Sequence, residues 1–266
     1  MSYPESTDAG EDSTEKRAEN QILPAQTRVT VIIGPGRGGG KSFLLKRRIN
    51  YSHLTHPGPA AYTPGMIVVI DYNVGNVKSV CNAFRHIGCD VQLSRDPDTL
   101  DKALGLVLPG VAAFGYAMEA LGSAAEPVKR AAAQGKPVLG ICVGYQMLFE
   151  RSYEYGPHEG LGLIEGEVGP LPTNQVVPHM GWNLVPLPGD MDLFSDLGEA
   201  RHFYFAHSYY AQVTDEQARV AHTDYGFALP ASVQKGNVYG VQFHPEKSSR
   251  QGLKVLQNFY DICANP

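Results

Sequence analysis

The chain has 266 residues, 43% of them hydrophobic, four cysteines and a formal net charge of −5. That is enough for one large domain or two small ones; no basic excess marks a nucleic-acid surface, and no apolar run is long enough to span a membrane. No secretory apolar region follows the N-terminus, and Cys81, Cys89, Cys142 and Cys263 fit neither a zinc spacing nor a disulfide framework, so a reducing cytoplasm is expected and no metal or cofactor.

Residues 1–65 differ from the rest. Met1–Glu19 is acidic and nearly free of apolar side chains, too polar to bury a core. From Asn20 to Ile70 no acidic residue occurs, and the piece ends in the linker-like His56-Pro57-Gly58-Pro59-Ala60-Ala61. Inside it, Val29–Ile33 resembles a strand and Gly34–Ser42 a phosphate loop. The spacing fails, because Pro35 stands where the first glycine of that pattern should precede Gly40. Residues 1–65 are therefore expected to be a flexible or poorly ordered, basic extension, with Met66 a candidate for the biological start and 66–266 the folded domain.

From Met66 the pattern alternates. Met66–Asp71 reads as a strand. Asn76–His86 reads as a helix, with Val77, Val80, Phe84 and Ile87 at helical spacing and a stop at Gly88. Asp90–Ser94 and Leu106–Leu108 read as strands, Tyr116–Leu121 and Glu126–Gln134 as helices, and Pro137–Ile141 as a strand leading into a helix over Tyr145–Glu150. This predicts an α/β fold: a mainly parallel sheet with helices on both faces. From Gly162 to Val241 short β-rich runs dominate, at Val176–Leu187, Phe203–Val213 and Val220–Thr223, and predict an added antiparallel β layer. Ser248 is expected to cap a closing helix that turns Leu253, Leu256, Tyr260 and Cys263 to one side.

Two short motifs carry chemistry. Gly140-Ile141-Cys142-Val143-Gly144 sets a cysteine between glycines at a strand-to-helix turn, the thiol version of a nucleophile elbow. The turn is crowded, so glycine suits it, and the helix start favours a thiolate. About a hundred residues on, a strand over Val238–Phe243 ends in His244-Pro245-Glu246. Residues i and i+2 of extended chain share a side. Glu246 can therefore hold one ring nitrogen of His244 and leave the other for a thiol. Alone, the first motif also fits a buried cysteine in a tight turn, and the second a surface ion pair. Together they point to a catalytic row of Cys142, His244 and Glu246.

Gly140–Glu150 and Gly240–Ser248 resemble the two signatures of class I glutamine amidotransferases. Ile70–Asn76, Pro109–Gly115, Pro178–Asn183 and Phe205–Tyr210 narrow the likeness to the glutaminase subunits of imidazole glycerol phosphate synthases, of histidine biosynthesis. The resemblance implies a class I glutamine amidotransferase-like fold and hydrolysis of L-glutamine through a thioester on Cys142. It implies an oxyanion site from the backbone of Val143 and Val111, and substrate contacts from Gly110, Gln146, Ser208 and Tyr209. It also implies a heterodimer with a cyclase subunit, a (β/α)₈ barrel that receives the ammonia, with Asn73, Asn76, Met180, Trp182 and Lys247 near that interface.

Two departures stand out: Ala112 and Asn73 occupy places where the family usually has glycine. Alanine would be costly if that backbone required a positive φ, whereas asparagine tolerates it. A glutaminase serving another synthase, such as that of pyridoxal phosphate, a stand-alone γ-glutamyl hydrolase and a non-catalytic docking subunit are the rival readings.

Overall fold

The computed structural model describes residues 65–265. The acidic segment, the glycine-rich loop and the linker-like stretch lie outside the described residues. The apolar run at Ile67–Ile70 forms β1, buried throughout. Helix α1 (Val77–His86) turns Val80, Cys81, Ala83 and Phe84 inward and leads to β2 (Val91–Ser94). A short helix that the apolar pattern does not mark, α2 (Pro97–Lys102), is capped by Asp96, which accepts the Thr99 N–H at 2.9 Å. Then come β3 (Gly105–Gly110), α3 (Phe114–Leu121), α4 (Ala125–Ala133) and β4 (Val138–Cys142).

After β4 the order is α5 (Val143–Gln146), β5 (Arg151–Ser152), β6 (His158–Glu159), β7 (Gly166–Pro170), β8 (His179–Pro186), β9 (Ala200–His207), β10 (Tyr209–Val213), β11 (Arg219–Asp224), β12 (Ala228–Lys235), β13 (Val238–Val241) and α6 (Ser249–Ala264). The main sheet has seven strands in the order β11-β12-β13-β4-β3-β1-β2. Strands β2, β1, β3, β4 and β13 run parallel, and β12 and β11 are antiparallel additions at one edge. Helix α1 packs with α6, and α2 with α4. Right-handed crossovers place these two pairs on opposite faces. The expected antiparallel layer is thus distributed: two edge strands, the β8–β9 hairpin, and a four-stranded sheet, β10-β7-β5-β6, whose β5–β7 pair is parallel.

Three local expectations change. The helix expected over Tyr145–Glu150 is instead the four-residue α5, starting directly after Cys142. The carbonyls of Met147, Leu148 and Glu150 accept N–H groups of Leu161, Leu163 and Gly160, so this stretch is tied to a neighbouring loop and cannot continue as a helix. The run 203–213 breaks at Ser208 into β9 and β10. Ser248 precedes α6 but its hydroxyl makes no capping bond.

The elbow is as crowded as its glycines suggest. A Cβ on Gly144 would lie 1.8 Å from the Leu108 carbonyl oxygen, and one on Gly140 would lie 2.5 Å from the Gly144 oxygen. Both obstacles are backbone, so neither can swing aside. No described helix is long and apolar enough to cross a membrane. Gly144→Ala should push β3 and α5 apart and cost about 3 kcal/mol or more in urea unfolding; a loss under about 1 kcal/mol would show that the elbow yields easily.

Candidate active site

Strands β3, β4 and β13 end side by side, with Gly110 opposite Cys142 and Ile141 opposite Val241 in parallel register. Ligand sites of open parallel sheets lie at these carboxyl ends. Cys142 adopts φ 55° and ψ −108°, a conformation that side chains rarely take. This kink starts α5 at the next residue, so the Val143 N–H has no acceptor within the helix. Gly110 is needed for the close approach: a Cβ there would meet the Val143 Cβ at 2.9 Å.

His244 follows β13, with its backbone N–H bonded to the Tyr204 carbonyl at 2.8 Å. Its Nδ1 lies 3.0 Å from Oε1 of Glu246, and both side chains are almost fully buried. The Cys142 sulfur borders the same cavity and acts on this ring electrostatically. Cys142 and His244 thus line one cavity, with the Glu246 carboxylate against the ring. Burial disfavours a charged His244, but the interactions with Cys142 and Glu246, and the negative charge of each, outweigh it, and the pKa is pushed up to about 9. A pKa raised in this way favours the protonated ring. Oε2 of Glu246 is buried without a partner, so His244 is the only polar contact of that carboxylate among the described residues. Ser248 fixes the segment: its hydroxyl donates to the His244 carbonyl at 2.6 Å and accepts the Tyr204 N–H at 3.0 Å. Phe243, stacked on Phe203 at 4.0 Å, holds the other side.

A cavity of about 340 Å³ opens above the sulfur, lined by Val111, Cys142, Val143, Gln146, Ser208, Tyr209 and His244 among others. Gln146 does not face solvent; it is 2% exposed. Its Nε2 donates to the Tyr209 carbonyl at 2.8 Å and to Oε1 of Gln242 at 3.0 Å. Both donors are used, which leaves its oxygen for a ligand in the cavity. Gln242 in turn donates from Nε2 to the Cys142 sulfur at 3.9 Å.

Gln242, Ser248 and Glu154 do not stand out in the sequence as site residues. Gln242 lies two residues before His244, so strand alternation could have placed it on the same side. Ser248 reads as a helix cap. Glu154 also lines the cavity and accepts the Phe114 N–H at 2.7 Å. It comes from a distant loop, and no spacing announces it.

The residues expected at a partner surface divide in two groups. Met180 and Trp182 are 65% and 52% exposed on the outer face of β8, with Leu184 continuing the stripe. Trp182 packs edge-on to Tyr204, and the Lys247 ammonium lies 5.9 Å from the Tyr204 ring centre. Met180 and Lys247 also line the cavity, so the apolar face adjoins its mouth. Asn73 and Asn76 sit in the β1–α1 loop. Asn73 has φ 59°, so the side chain best able to tolerate that geometry occupies it. Ala112 is not among the positive-φ residues, and the anticipated cost of alanine there does not arise.

Residues 68–263 match the family model described as Glutamine amidotransferase class-I. The chain is 46% identical over 201 residues to imidazole glycerol phosphate synthase subunit HisH of Sulfurimonas denitrificans, covering 73% of this chain and 97% of that one. It is 49% identical over 201 residues to the protein of the same name in Lacticaseibacillus casei, covering 74% and 96%. Among solved structures it resembles PurLQS from Thermotoga maritima, with TM-score 0.61 and 22% identity over 75% of this chain and 99% of that one. At that identity the likeness concerns the fold alone.

Followed by NMR, the His244 ring should stay protonated through neutral pH and lose its proton near pH 9. Glu246→Gln removes a negative charge that raises this pKa and leaves only a neutral acceptor, so the midpoint should move down. An unmoved midpoint would rule out Glu246 as a cause of the shift.

Proposed function

We infer the activity from one premise: the chain belongs to the class-I glutamine amidotransferase family and, within it, to the HisH subunits of imidazole glycerol phosphate synthase. It is the glutaminase subunit of that synthase, an enzyme that releases ammonia from glutamine. The observation that supports the chemical assignment is Cys142 and His244 lining one cavity, with the buried Glu246 carboxylate 3.0 Å from the His244 ring.

In this mechanism the Cys142 thiolate attacks the side-chain amide carbon of glutamine. The amide oxygen takes the negative charge and is met by the Val143 N–H, with the Gly110-Val111 backbone as the second wall; one such donor is typically worth about 10²–10³ in rate. The His244 imidazolium gives its proton to the departing nitrogen, and ammonia leaves a glutamyl thioester. His244, now neutral, takes a proton from water as that water attacks the thioester. Glutamate leaves, and the sulfur returns to its starting state. Glu246 holds the ring in one orientation and stabilises its charge.

The substrate's own charges suit the cavity. The free oxygen of Gln146 can accept an N–H of the ligand, Gly110 and the Ser208-Tyr209 backbone shape the walls, and the Glu154 carboxylate offers an opposite charge to the α-ammonium group. The exposed stripe of Met180, Trp182 and Leu184, with Lys247 at the mouth, supports docking of a cyclase subunit with a (β/α)₈ barrel, as a heterodimer with Asn73 and Asn76 at the rim. Large aromatics such as Trp182 are common anchors of such contacts. A histidine-pathway enzyme with free thiols at all four cysteines fits the cytoplasm.

The test mixes the protein with the candidate cyclase and its ribonucleotide ligand and measures glutamate release. Release should rise above that of the protein alone; no rise would overturn the histidine-pathway assignment. Cys142→Ala should fall below about a thousandth of the wild-type rate. Glu154→Gln should raise the KM for glutamine about tenfold with kcat little changed, as loss of a charged contact to the ground state predicts; equal loss in kcat would place that carboxylate elsewhere in the mechanism.

A further inference from the structure

Two buried histidines take no part in the mechanism above. His179 begins β8 and His207 ends β9, opposite one another in the hairpin register. They are 4% and 6% exposed. Nδ1 of His179 lies 2.9 Å from Nε2 of His207, and Nδ1 of His207 lies 2.8 Å from the Tyr209 carbonyl oxygen. Asn183 Nδ2 approaches Nε2 of His179 at 3.4 Å.

The contacts at each end decide where the protons are. A carbonyl oxygen only accepts, so His207 carries hydrogen on Nδ1. A neutral ring then has a lone pair on Nε2. That lone pair requires a donor, which puts the His179 hydrogen on Nδ1 and leaves its Nε2 as an acceptor. Asn183 meets that requirement, because its amide is oriented independently: Oδ1 accepts the Leu184 N–H at 2.8 Å, and Nδ2 donates to the Asp224 carbonyl at 2.9 Å. Every bond in the series points the same way, from the hairpin toward Tyr209. Protonation of either ring would set two N–H groups face to face. Burial opposes it as well, and holds His179 down to about 4; burial, together with the nearby His179 and His244, holds His207 down to about 3 against the bond to Tyr209. Packing locks the upper ring: His179 is stacked on Phe205 at 4.6 Å and lies against Tyr225 at 4.0 Å.

The receiving group gives the series its consequence. The Tyr209 carbonyl also accepts from Gln146, whose second N–H goes to Gln242. The orientation of the Gln146 amide therefore depends on where that carbonyl stands. We propose that His179 and His207 are positioning residues: a one-way hydrogen-bond relay, each ring held with its hydrogen on Nδ1, that fixes the Tyr209 carbonyl and through it the Gln146 oxygen that receives glutamine. The substrate half of this proposal rests on the glutaminase reading; the tautomers do not.

The experiment has two arms. In the resting protein, long-range ¹H–¹⁵N NMR should find both rings neutral with hydrogen on Nδ1 from pH 6 to pH 8. A proton on Nε2 of His207, or a charged ring in that range, would overturn the relay. In the second arm, glutaminase kinetics are measured with the cyclase present. His207→Leu removes the donor and should raise the KM for glutamine at least about tenfold, while kcat and Cys142 alkylation by iodoacetamide stay within about threefold. His207→Asn places an amide donor where Nδ1 stood and should recover most of the wild-type KM. An unchanged KM in His207→Leu, or an asparagine variant as impaired as the leucine one, would overturn the positioning role. Should His207→Leu fail to fold, the asparagine variant still decides: a KM near wild type supports the donor, and a KM raised tenfold sinks it. A wild-type protein that releases no glutamate would overturn the glutaminase reading instead, and the tautomers would still stand or fall by NMR.

Discussion

The reactive geometry depends on a close approach of backbones around Cys142. Leu108 in β3 leaves no room for a side chain at Gly144, and the turn of α5 leaves none at Gly140. On the far side a Cβ at Gly240 would sit 2.3 Å from the Tyr145 ring. Three glycines in two sequence-distant motifs thus let three neighbouring strands and one helix meet at a single point. A cysteine held at φ 55° is strained. That strain persists because the strand before it and the helix after it are both anchored, and together they leave the sulfur projecting into the cavity.

The polar groups around that point form a closed set of obligations. A buried carboxylate with one unpartnered oxygen is costly unless a cation stands beside it. The raised pKa of His244 favours such a cation, and the Cys142 sulfur pushes it the same way. Gln242 joins the sulfur to Gln146, Gln146 joins Gln242 to the Tyr209 carbonyl, and His207 reaches the same carbonyl from the other direction. The low dielectric that strengthens each bond also penalises any missing one. A change at one member is therefore expected to register at its neighbours, which is why the predicted effect of His207 appears in substrate binding.

How much of this could be read from the chain follows from the range of each interaction. The elbow and the His-x-Glu pair are local, and strand alternation or glycine chemistry exposes them directly. The parallel core was legible for the same reason, since each β1-α1-β2 type unit carries its own periodicity. Glu154 and the His179–His207 pair acquire meaning only through contacts tens of residues away, and β8 and β9 read as ordinary strands until the register sets one histidine opposite the other. Ser248 misled because a serine before a helix is a common cap, whereas here its hydroxyl is taken by His244 and Tyr204. The α5 helix was overextended because its continuation is equally apolar; competing bonds from residues 160–163 end it.

The chemistry also explains why the cavity opens onto an apolar face. At neutral pH free ammonia in water takes up a proton and ceases to be a nucleophile, so an amine generated at Cys142 is useful only if it travels without meeting bulk solvent. In the proposed mechanism the departing nitrogen receives its proton from His244 and leaves as neutral ammonia. Keeping the product as neutral ammonia is thus a matter of excluding water. Val111, Met180 and Trp182 leave large apolar surface exposed around or beside the mouth, which is unfavourable in isolation. A partner seated there would remove that surface from water and close the exit in one step, so the same contacts that hold the two subunits together would direct the ammonia toward its acceptor.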